Sequence, residues 1–419
     1  MSVTLMVIGI AILLSTTAKL ALNRLNANHI AKLRSNPPER LKGLMDAETW
    51  QRSTDYTLAK SEFGVWSHLY GTAIGLVALV FLMPWAYGNW AGAAPIGPWQ
   101  EALVLVSIFI FLGLPDLPFE WFNQFRLEER FGFNKSSMSL WVSDKIKGLG
   151  LGFVLMMGLI GGLLWLYEVL REALPHLWWL IVFGAFFAVQ LVMMVLWPIL
   201  ILPLFNKLTP LPEGELKERL MALGERTGFA AKTIEVIDGS KRSGHSNAFF
   251  TGFGRFRRIV LFDTLIEQMT TEELEAVLAH EIGHYKCGHI PKSLALSAFM
   301  GAASFWFISF LTQSAWFYDH LGFSAAAQGR LGPVLLILSV AAGAFTYWFS
   351  PLSNILSRKN EYEADAFAKN AVGGPNDLCS ALRKLHVENL SHPLPHPVYA
   401  TLYYSHPSLL ERERALFNS

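Results

Sequence analysis

The sequence predicts a mainly α-helical, polytopic membrane protein with seven transmembrane helices and a polar cytoplasmic domain that contains a small β-sheet. Composition is the first reason: 52% of the 419 residues are apolar, only 16% are charged, and the mean hydropathy is +0.34. A soluble protein has about 25% charged residues, so the expected partner is a lipid bilayer. The 34 basic and 33 acidic residues leave no basic excess for nucleic acid, and none is expected to bind.

Seven uncharged stretches are the second reason. They cover residues 1–18, 63–100, 102–115, 148–167, 173–206, 293–318 and 331–357. A helix needs about 20 residues to cross the hydrocarbon core, so the third stretch becomes long enough only when 97–120 is counted. A cleaved signal peptide is the alternative for the first stretch. It is less favoured, because no basic residue precedes the apolar run and no clear small-residue cleavage site follows it.

The distribution of basic residues between these stretches is the third reason. The connections 23–62, 119–147 and 206–292 carry seven, five and twelve Lys and Arg residues, whereas the alternate connections carry none or one. The positive-inside rule therefore places the N-terminus outside, the C-terminus in the cytoplasm, and the polar connections on the cytoplasmic side.

The polar part falls into two blocks separated by the last two spans. We therefore divide the chain into 1–206 with spans one to five, 207–292, 293–357 with spans six and seven, and 358–419. Spans six and seven form a hairpin that returns the chain to its starting side, so both polar blocks can pack into one domain. Strands are expected at 233–238, 247–251 and 257–262, the last two joined by a glycine-bearing turn at 252–254.

The segment TTEELEAVLAHEIGHYKCG (270–288) is predicted to be a helix. Thr270 and Glu273 form a capping-box pattern at its start, and Gly288 supplies the stop. Residues four apart share a helix face, so His280 and His284 can offer two imidazole nitrogens to one metal ion. Glu281 is then placed to act as the general base of an HExxH site. The alternative is two histidines on an ordinary helix face.

A third metal ligand is expected in SRKNEYEADAFAKN (357–370). Glu361 and Asp365 share a helix face, so one can bind the metal while the other orients a ligating imidazole, and Glu363 points elsewhere. A solvated acidic face is the alternative. His289 lies one residue before the position of a metzincin-type third ligand, Ile290, and is expected to be an ordinary polar residue near the helix end. Together the two motifs predict one Zn²⁺ per chain.

Several segments carry a family resemblance. HEIGH and EYEAD occur with GSKRSGHSNAFFTGFG, YSHPSLLERERAL, RLEERFGFNKSS (126–137) and LPLFNKLTPL (202–211). From about residue 120 onward the chain resembles the type I CAAX prenyl endopeptidases, which are integral-membrane zinc metalloproteases. The heat-shock-type membrane proteases share the HExxH and EYxAD elements but not the FGFN and SHPxLLER segments.

The resemblance implies a barrel of seven helices around a hydrated chamber, with a zincin-like metalloprotease domain facing into it. It implies that His280, His284 and Glu361 bind zinc and that Glu281 activates the attacking water. Asp365 would orient a ligand from behind.

The resemblance also implies where substrate binds. Asn247 and Ala248 would lie on the strand edge that receives a peptide as an added antiparallel strand; from the residues alone, Asn247 would simply end a strand. His406 and Arg412 match the late His and Arg of the family and are candidate donors to the oxyanion of amide hydrolysis. The alternatives are a loop residue before Pro407 and a cation on a helix face.

The favoured function is a zinc endopeptidase that removes the last three residues after a prenylated cysteine. The alternatives are a broad-specificity membrane quality-control protease and a metal-regulated transporter. A transporter has no need of Glu281, and the spans lack paired half-helix repeats.

No oligomer is required. A bacterial inner membrane is favoured over the endoplasmic reticulum, because the terminal ERALFNS lacks a dilysine-type signal. The FGFN loop (131–134) is assigned to scaffold or chamber lining, and the glycines between 148 and 162 to close helix packing.

Overall fold

The computed structural model describes residues 2–418 except 36–37, 39–40, 42, 93–95, 230–232 and 252–257. Helices and strands within these ranges are, in chain order, α1 (Val3–Leu33), α2 (Ala47–Ala91), α3 (Pro98–Glu128), α4 (Met138–Ala173), α5 (Trp178–Phe205), β1 (Leu208–Pro210), α6 (Glu215–Thr227), β2 (Thr233–Ile237), β3 (Ala248–Thr251), β4 (Arg258–Phe262), α7 (Asp263–Gln268), α8 (Thr271–Lys286), α9 (His289–Thr312), α10 (Ala315–His320), α11 (Leu331–Val372), α12 (Asn376–Glu388), α13 (Pro397–Tyr403) and α14 (Leu409–Asn418).

Seven of these helices are long and apolar enough to cross a bilayer, which confirms the predicted number of spans. They are α1 to α5, α9 and α11. The third span extends well beyond its uncharged stretch, as expected. The seventh differs from the prediction in one respect: α11 continues without a break from the apolar stretch into the segment that carries Glu361, with one 3₁₀ turn at Tyr347–Phe349. A membrane helix therefore presents this carboxylate directly.

The seven helices close into a ring. Each membrane helix contacts the next along the chain, and α11 contacts α1. The barrel implied by the resemblance is thus confirmed.

The expectation for the glycines of α4 was wrong in all but one case: Gly161 lies against the ring of Trp99, whereas an added Cβ at the other five would meet no atom within 4 Å. Those five face open space because α4 packs mainly on α3 and α5.

The β-sheet has four strands in the order β1-β2-β4-β3. β2 and β4 are parallel, and β1 and β3 pair antiparallel to them at the two edges. The three expected strands are present, with β2 ending one residue earlier and β3 beginning one residue later than predicted, whereas β1 was not predicted. The turn 252–254 lies outside the described residues. Among the described residues β3 has a neighbour on one side only, so its other edge is free.

Both polar blocks contribute to one hydrophobic core. Leu220, Leu261 and Leu278 from the first block are buried together with Leu382 and Leu416 from the second. Burying a leucine side chain stabilises the fold by about 1.5–3 kcal/mol, so this shared core holds the two blocks together. Helix α8 lies at its centre and packs on α6, α11 and α12.

Candidate metal centre

Helix α8 begins with the predicted capping box. The Thr270 hydroxyl accepts a hydrogen bond from the Glu273 backbone N–H at 3.3 Å, and the Glu273 carboxylate accepts one from the Thr270 N–H at 2.8 Å. The helix ends at Lys286, and Gly288 adopts the left-handed conformation with φ of 68°. These local signals place HEIGH on the last turns of a helix that is anchored in the core.

Three side-chain groups converge beside this helix. The Nε2 atoms of His280 and His284 lie 3.2 Å apart, and they lie 3.4 and 3.3 Å from the two carboxylate oxygens of Glu361. Glu361 is only 4% exposed, and its Oε2 atom has no hydrogen-bond partner among the described residues. A buried carboxylate that faces two imidazole nitrogens with its two oxygens, one of them unpaired among the described residues, fits a bound metal. Two nitrogens and one carboxylate oxygen leave the open position of a catalytic centre.

Asp365 lies behind His280. Its Oδ1 atom is 2.8 Å from His280 Nδ1, so the carboxylate accepts the Nδ1 proton and leaves the Nε2 lone pair directed toward Glu361. Arg412 in turn holds Asp365: its Nε donates to Oδ2 at 2.8 Å and its Nη2 donates to Oδ1. Arg412 Nη1 lies 3.8 Å from Glu361 Oε2. One face of Arg412 is thus fixed by Asp365, and the remaining amino group borders the convergent atoms.

The electrostatics around His280 suit a cation. Burial opposes a charge on His280, but the hydrogen bonds to Asp365 and Glu361 outweigh burial and raise the pKa of His280 to about 9. The surrounding carboxylates therefore stabilise positive charge at this point. Burial raises the pKa of Glu281 above its ordinary value.

His406 reaches the same place from the C-terminal segment. Its Nε2 atom lies 3.3 Å from Glu361 Oε1, although its side chain is 63% exposed because it faces a cavity. Surrounding protein still lowers the pKa of His406 by desolvation, against the opposite effect of Glu361. A neutral imidazole at this position can donate one hydrogen bond into the cavity.

The cavity beside these residues has a volume of about 330 Å³ and is bordered by the free edge of β3. It shares lining residues, among them Asn247, His406 and Arg412, with a larger cavity of about 1000 Å³. Residues of α1 and α2, including Lys60 and His68, line this larger cavity. The candidate centre therefore opens into a chamber bounded by membrane helices.

The backbone of β3 is suited to pair with a further strand. The Asn247 carbonyl accepts a hydrogen bond from the Phe262 N–H at 3.1 Å, so Asn247 uses its backbone on β4. Successive residues of a strand direct their backbone groups to opposite sides, and the N–H and C=O of Ala248 therefore point to the free edge. The Asn247 side-chain oxygen accepts the Ala248 N–H at 2.8 Å. Both residues predicted for substrate binding thus line the cavity.

The FGFN loop supports the segment that leads into β3. Phe131 and Phe133 are buried, and the Phe133 ring stacks on His245 with 4.0 Å between ring centroids. The Phe133 carbonyl accepts a hydrogen bond from the Gly244 N–H at 2.9 Å, and Asn134 forms a β-bridge with Ser243. This packing supports scaffold, one of the two roles expected for the loop, and it fixes the chain two residues before Asn247.

His289 lies at a helix end, as expected, but it is buried and in contact with another histidine, unlike an ordinary polar residue. This residue is 4% exposed, and its Nδ1 atom lies 3.0 Å from Nδ1 of His284. Glu363 does point away from the convergent atoms, as expected, and it lies 3.0 Å from the other ring nitrogen of His289. The only sequence signal was that His289 opens the membrane helix directly after Gly288, and spacing alone does not reveal that a helix break folds it back onto His284.

Comparison with known proteins shows which family has this architecture. The family model described as CAAX prenyl protease N-terminal, five membrane helices, matches residues 26–207, and peptidase family M48 matches residues 210–418. The chain is 37% identical to CAAX prenyl protease 1 of Saccharomyces cerevisiae over 90% of this chain and 88% of that protein. It is 32% identical to the human CAAX prenyl protease 1 homolog over 92% and 90%, respectively. The crystal structure of S. mikatae Ste24p superimposes with a TM-score of 0.87 at 32% identity and covers 98% of both chains.

The ring of membrane helices and the convergent HExxH site define an integral-membrane metalloendopeptidase. The chain belongs to peptidase family M48, together with the CAAX prenyl proteases. Membership implies a metal cofactor, a peptide substrate and a membrane environment, and it sets aside the transporter alternative.

Proposed function

We propose that the chain is a zinc endopeptidase that removes the last three residues after the prenylated cysteine of CAAX-type substrates. The observation that carries the proposal is the convergence of two imidazole Nε2 atoms and a buried carboxylate with one oxygen unpaired among the described residues. These groups lie beside the free edge of β3 and next to a cavity that residues of α1 and α2 line. His280, His284 and Glu361 would hold one zinc ion, and Asp365 would orient His280. Zinc, when bound, would polarise the scissile carbonyl and make the attacking water more acidic.

The protein's own groups have distinct proposed roles. Glu281 lines the small cavity next to His280 and accepts the proton of the attacking water, and it can then pass that proton to the leaving amine. His406 and the Nη1 amino group of Arg412 donate to the carbonyl oxygen as it gains negative charge. A pair of fixed donors in a closed site stabilises this charge without the reorganisation that water would need.

Substrate would bind as a strand antiparallel to β3 and pair with the Ala248 carbonyl, and with the Ala248 N–H once the Asn247 side chain releases it. Antiparallel pairing puts residues on the C-terminal side of the scissile bond along Asn247 and the chain before it. The isoprenoid would lie among apolar membrane helices. Several relatives carry the name CAAX prenyl protease, which supports this substrate class.

The test is the purified protein with farnesylated and unmodified forms of one CAAX peptide, with mass spectrometry of the products. We expect release of the C-terminal tripeptide from the farnesylated form, inhibition by a chelator, and no release by Glu281→Gln. Equal cleavage of both forms would mean that the lipid is tolerated and not recognised. Cleavage of neither, with degradation of a misfolded membrane protein, would favour the quality-control alternative.

We further propose that the zinc site faces the cytoplasm, that the N-terminus lies outside, and that the four segments 1–206, 207–292, 293–357 and 358–419 are the functional units. The change of family model between residues 207 and 210 supports the first boundary. The charge alternation supports the orientation, but it is the same in a bacterial inner membrane and in the endoplasmic reticulum. We retain the bacterial inner membrane as the proposed location, and microscopy or fractionation of the native host tests it.

A further inference from the structure

The two candidate histidine ligands differ in what their Nδ1 atoms, the ring nitrogens that face away from Glu361, contact. His280 contacts the Asp365 carboxylate directly through Nδ1. His284 has no carboxylate within hydrogen-bond distance of its Nδ1 atom among the described contacts; that atom instead lies 3.0 Å from Nδ1 of His289. The Nδ1 atom of His284 is therefore held by a second imidazole and not by a carboxylate.

His289 is held from its other side. Its Nε2 atom lies 3.0 Å from Glu363 Oε2, and its ring is buried at the start of α9. Glu363 is two residues beyond Glu361 on α11, so it lies on a different face of the same helix and does not border the convergent atoms. The three side chains form a row, Glu363 to His289 to His284, that ends at the candidate metal position.

The proton positions in this row follow from the chemistry of the end group. A carboxylate can only accept, so His289 Nε2 carries a proton and donates it to Glu363. A neutral His289 then has a lone pair at Nδ1, which requires a proton on Nδ1 of His284. The Nε2 atom of His284 is consequently unprotonated, and its lone pair points to Glu361 and His280. The row thus selects the tautomer of His284 that can bind a metal.

We propose that His289 and Glu363 are positioning residues that fix the orientation and the metal-binding tautomer of His284. The proposal rests on the zinc ligand set proposed above. It explains why a buried histidine and a carboxylate face each other across the contact of α8, α9 and α11, although neither borders the cavity of the centre.

A second metal site is the competing explanation, because ligand atoms of Cys287, His289 and Glu363 also lie within 4.8 Å of one another. The hydrogen bonds argue against it. Both nitrogens of His289 are already engaged, one by His284 and one by Glu363, so the ring has no lone pair to offer a metal while the row is intact.

The test is zinc binding by purified full-length variants, measured by competition with a chromophoric chelator, together with the visible spectrum of the cobalt-substituted protein. We expect His289→Ala to bind zinc about 10- to 100-fold more weakly and to change the cobalt spectrum. Glu363→Ala, which alters a partly exposed side chain and leaves the core intact, should weaken zinc binding in the same direction. His289→Asn keeps an acceptor near the Nδ1 position and should recover part of the affinity. Cys287→Ser is the matched control and should leave zinc binding unchanged.

Unchanged zinc affinity and an unchanged cobalt spectrum in both His289→Ala and Glu363→Ala would overturn the proposal. Two zinc ions in the unmodified protein, one of them lost in Cys287→Ser, would replace it with the second-site explanation. His284→Ala separates this question from the ligand assignment: zinc retained at full affinity in that variant means that the proposed ligand set is wrong, whatever His289 does.

Discussion

Gly283 on α8 lies in direct backbone contact with Ala364 on α11. A Cβ added to Gly283 would come within 2.9 Å of both the Cα and the carbonyl oxygen of Ala364, and within 3.2 Å of the Phe367 Cβ. Neither backbone atom can move without moving its helix. The glycine of HEIGH therefore sets the distance between the helix that carries His280 and His284 and the helix that carries Glu361.

Gly283→Ala is expected to weaken zinc binding without touching a ligand. The methyl group must push α8 and α11 apart, and overpacking of this kind costs about 1–3 kcal/mol of stability. Thermal unfolding and chelator competition should both report the change. Gly158→Ala is the matched control, because its added Cβ meets no atom within 4 Å and alanine favours a helix. Equal zinc affinity in the two variants would contradict the role given to this contact.

Glu361→Ala is expected to lose most of the bound zinc. The variant removes the only carboxylate whose oxygens face both imidazole Nε2 atoms among the described residues. Elemental analysis of the purified protein gives the zinc content per chain. Glu388→Ala, which removes an exposed carboxylate from α12, should keep one zinc. A normal zinc content in Glu361→Ala would remove this residue from the site.

Glu281→Gln is expected to retain zinc and lose turnover. The substitution keeps the shape of the side chain but removes the base, and general-base catalysis contributes about 10²- to 10⁴-fold to the rate. Zinc content and the rate of peptide release, measured on the same preparation, separate the two roles. Loss of zinc from this variant would mean that Glu281 is a ligand.

Much of this arrangement could be predicted from the sequence because the signals are local. The spacing of His280 and His284 defines one helix face, and the capping residues define where that helix starts. The role of Glu361 could be predicted because the two spans between the motifs form a hairpin, which must return the chain to the same side of the membrane. Contacts between separate helices gave no such signal. Two such contacts are those of Gly283 with Ala364 and of His289 with His284. Both depend on how α8, α9 and α11 cross, and no spacing rule in the sequence specifies that crossing.

His406→Ala is expected to lower kcat by about 100-fold with little change in KM or zinc content. Its imidazole faces the cavity and lies close to Glu361, where it can donate to the oxygen that becomes negative during attack. Steady-state kinetics on one peptide give both constants. A change in KM alone would make His406 a substrate-binding residue.

Arg412→Ala should lower kcat to a similar extent and should in addition destabilise the protein. Removing this guanidinium leaves the buried Asp365 carboxylate without its cationic partner, which costs about 3–5 kcal/mol. Zinc affinity and the melting temperature must therefore be measured beside the rate. An Arg412→Ala protein with normal kcat would exclude it from oxyanion stabilisation.

Pairing of the substrate with β3 predicts a pattern with a period of two along the substrate backbone. Ala248 directs both of its backbone groups to the free edge, so an added antiparallel strand hydrogen-bonds through every second residue, and the residues between point their amides away. Peptides methylated at one backbone nitrogen at a time test this. Binding is measured to the inactive Glu281→Gln protein, so that methylation of the scissile amide does not confuse binding with cleavage. Each lost hydrogen bond should cost about 1 kcal/mol, or about fivefold in affinity, at alternate positions, with the positions between unaffected. An equal effect at neighbouring positions, or none at any position, would show that the substrate does not bind as a strand on this edge.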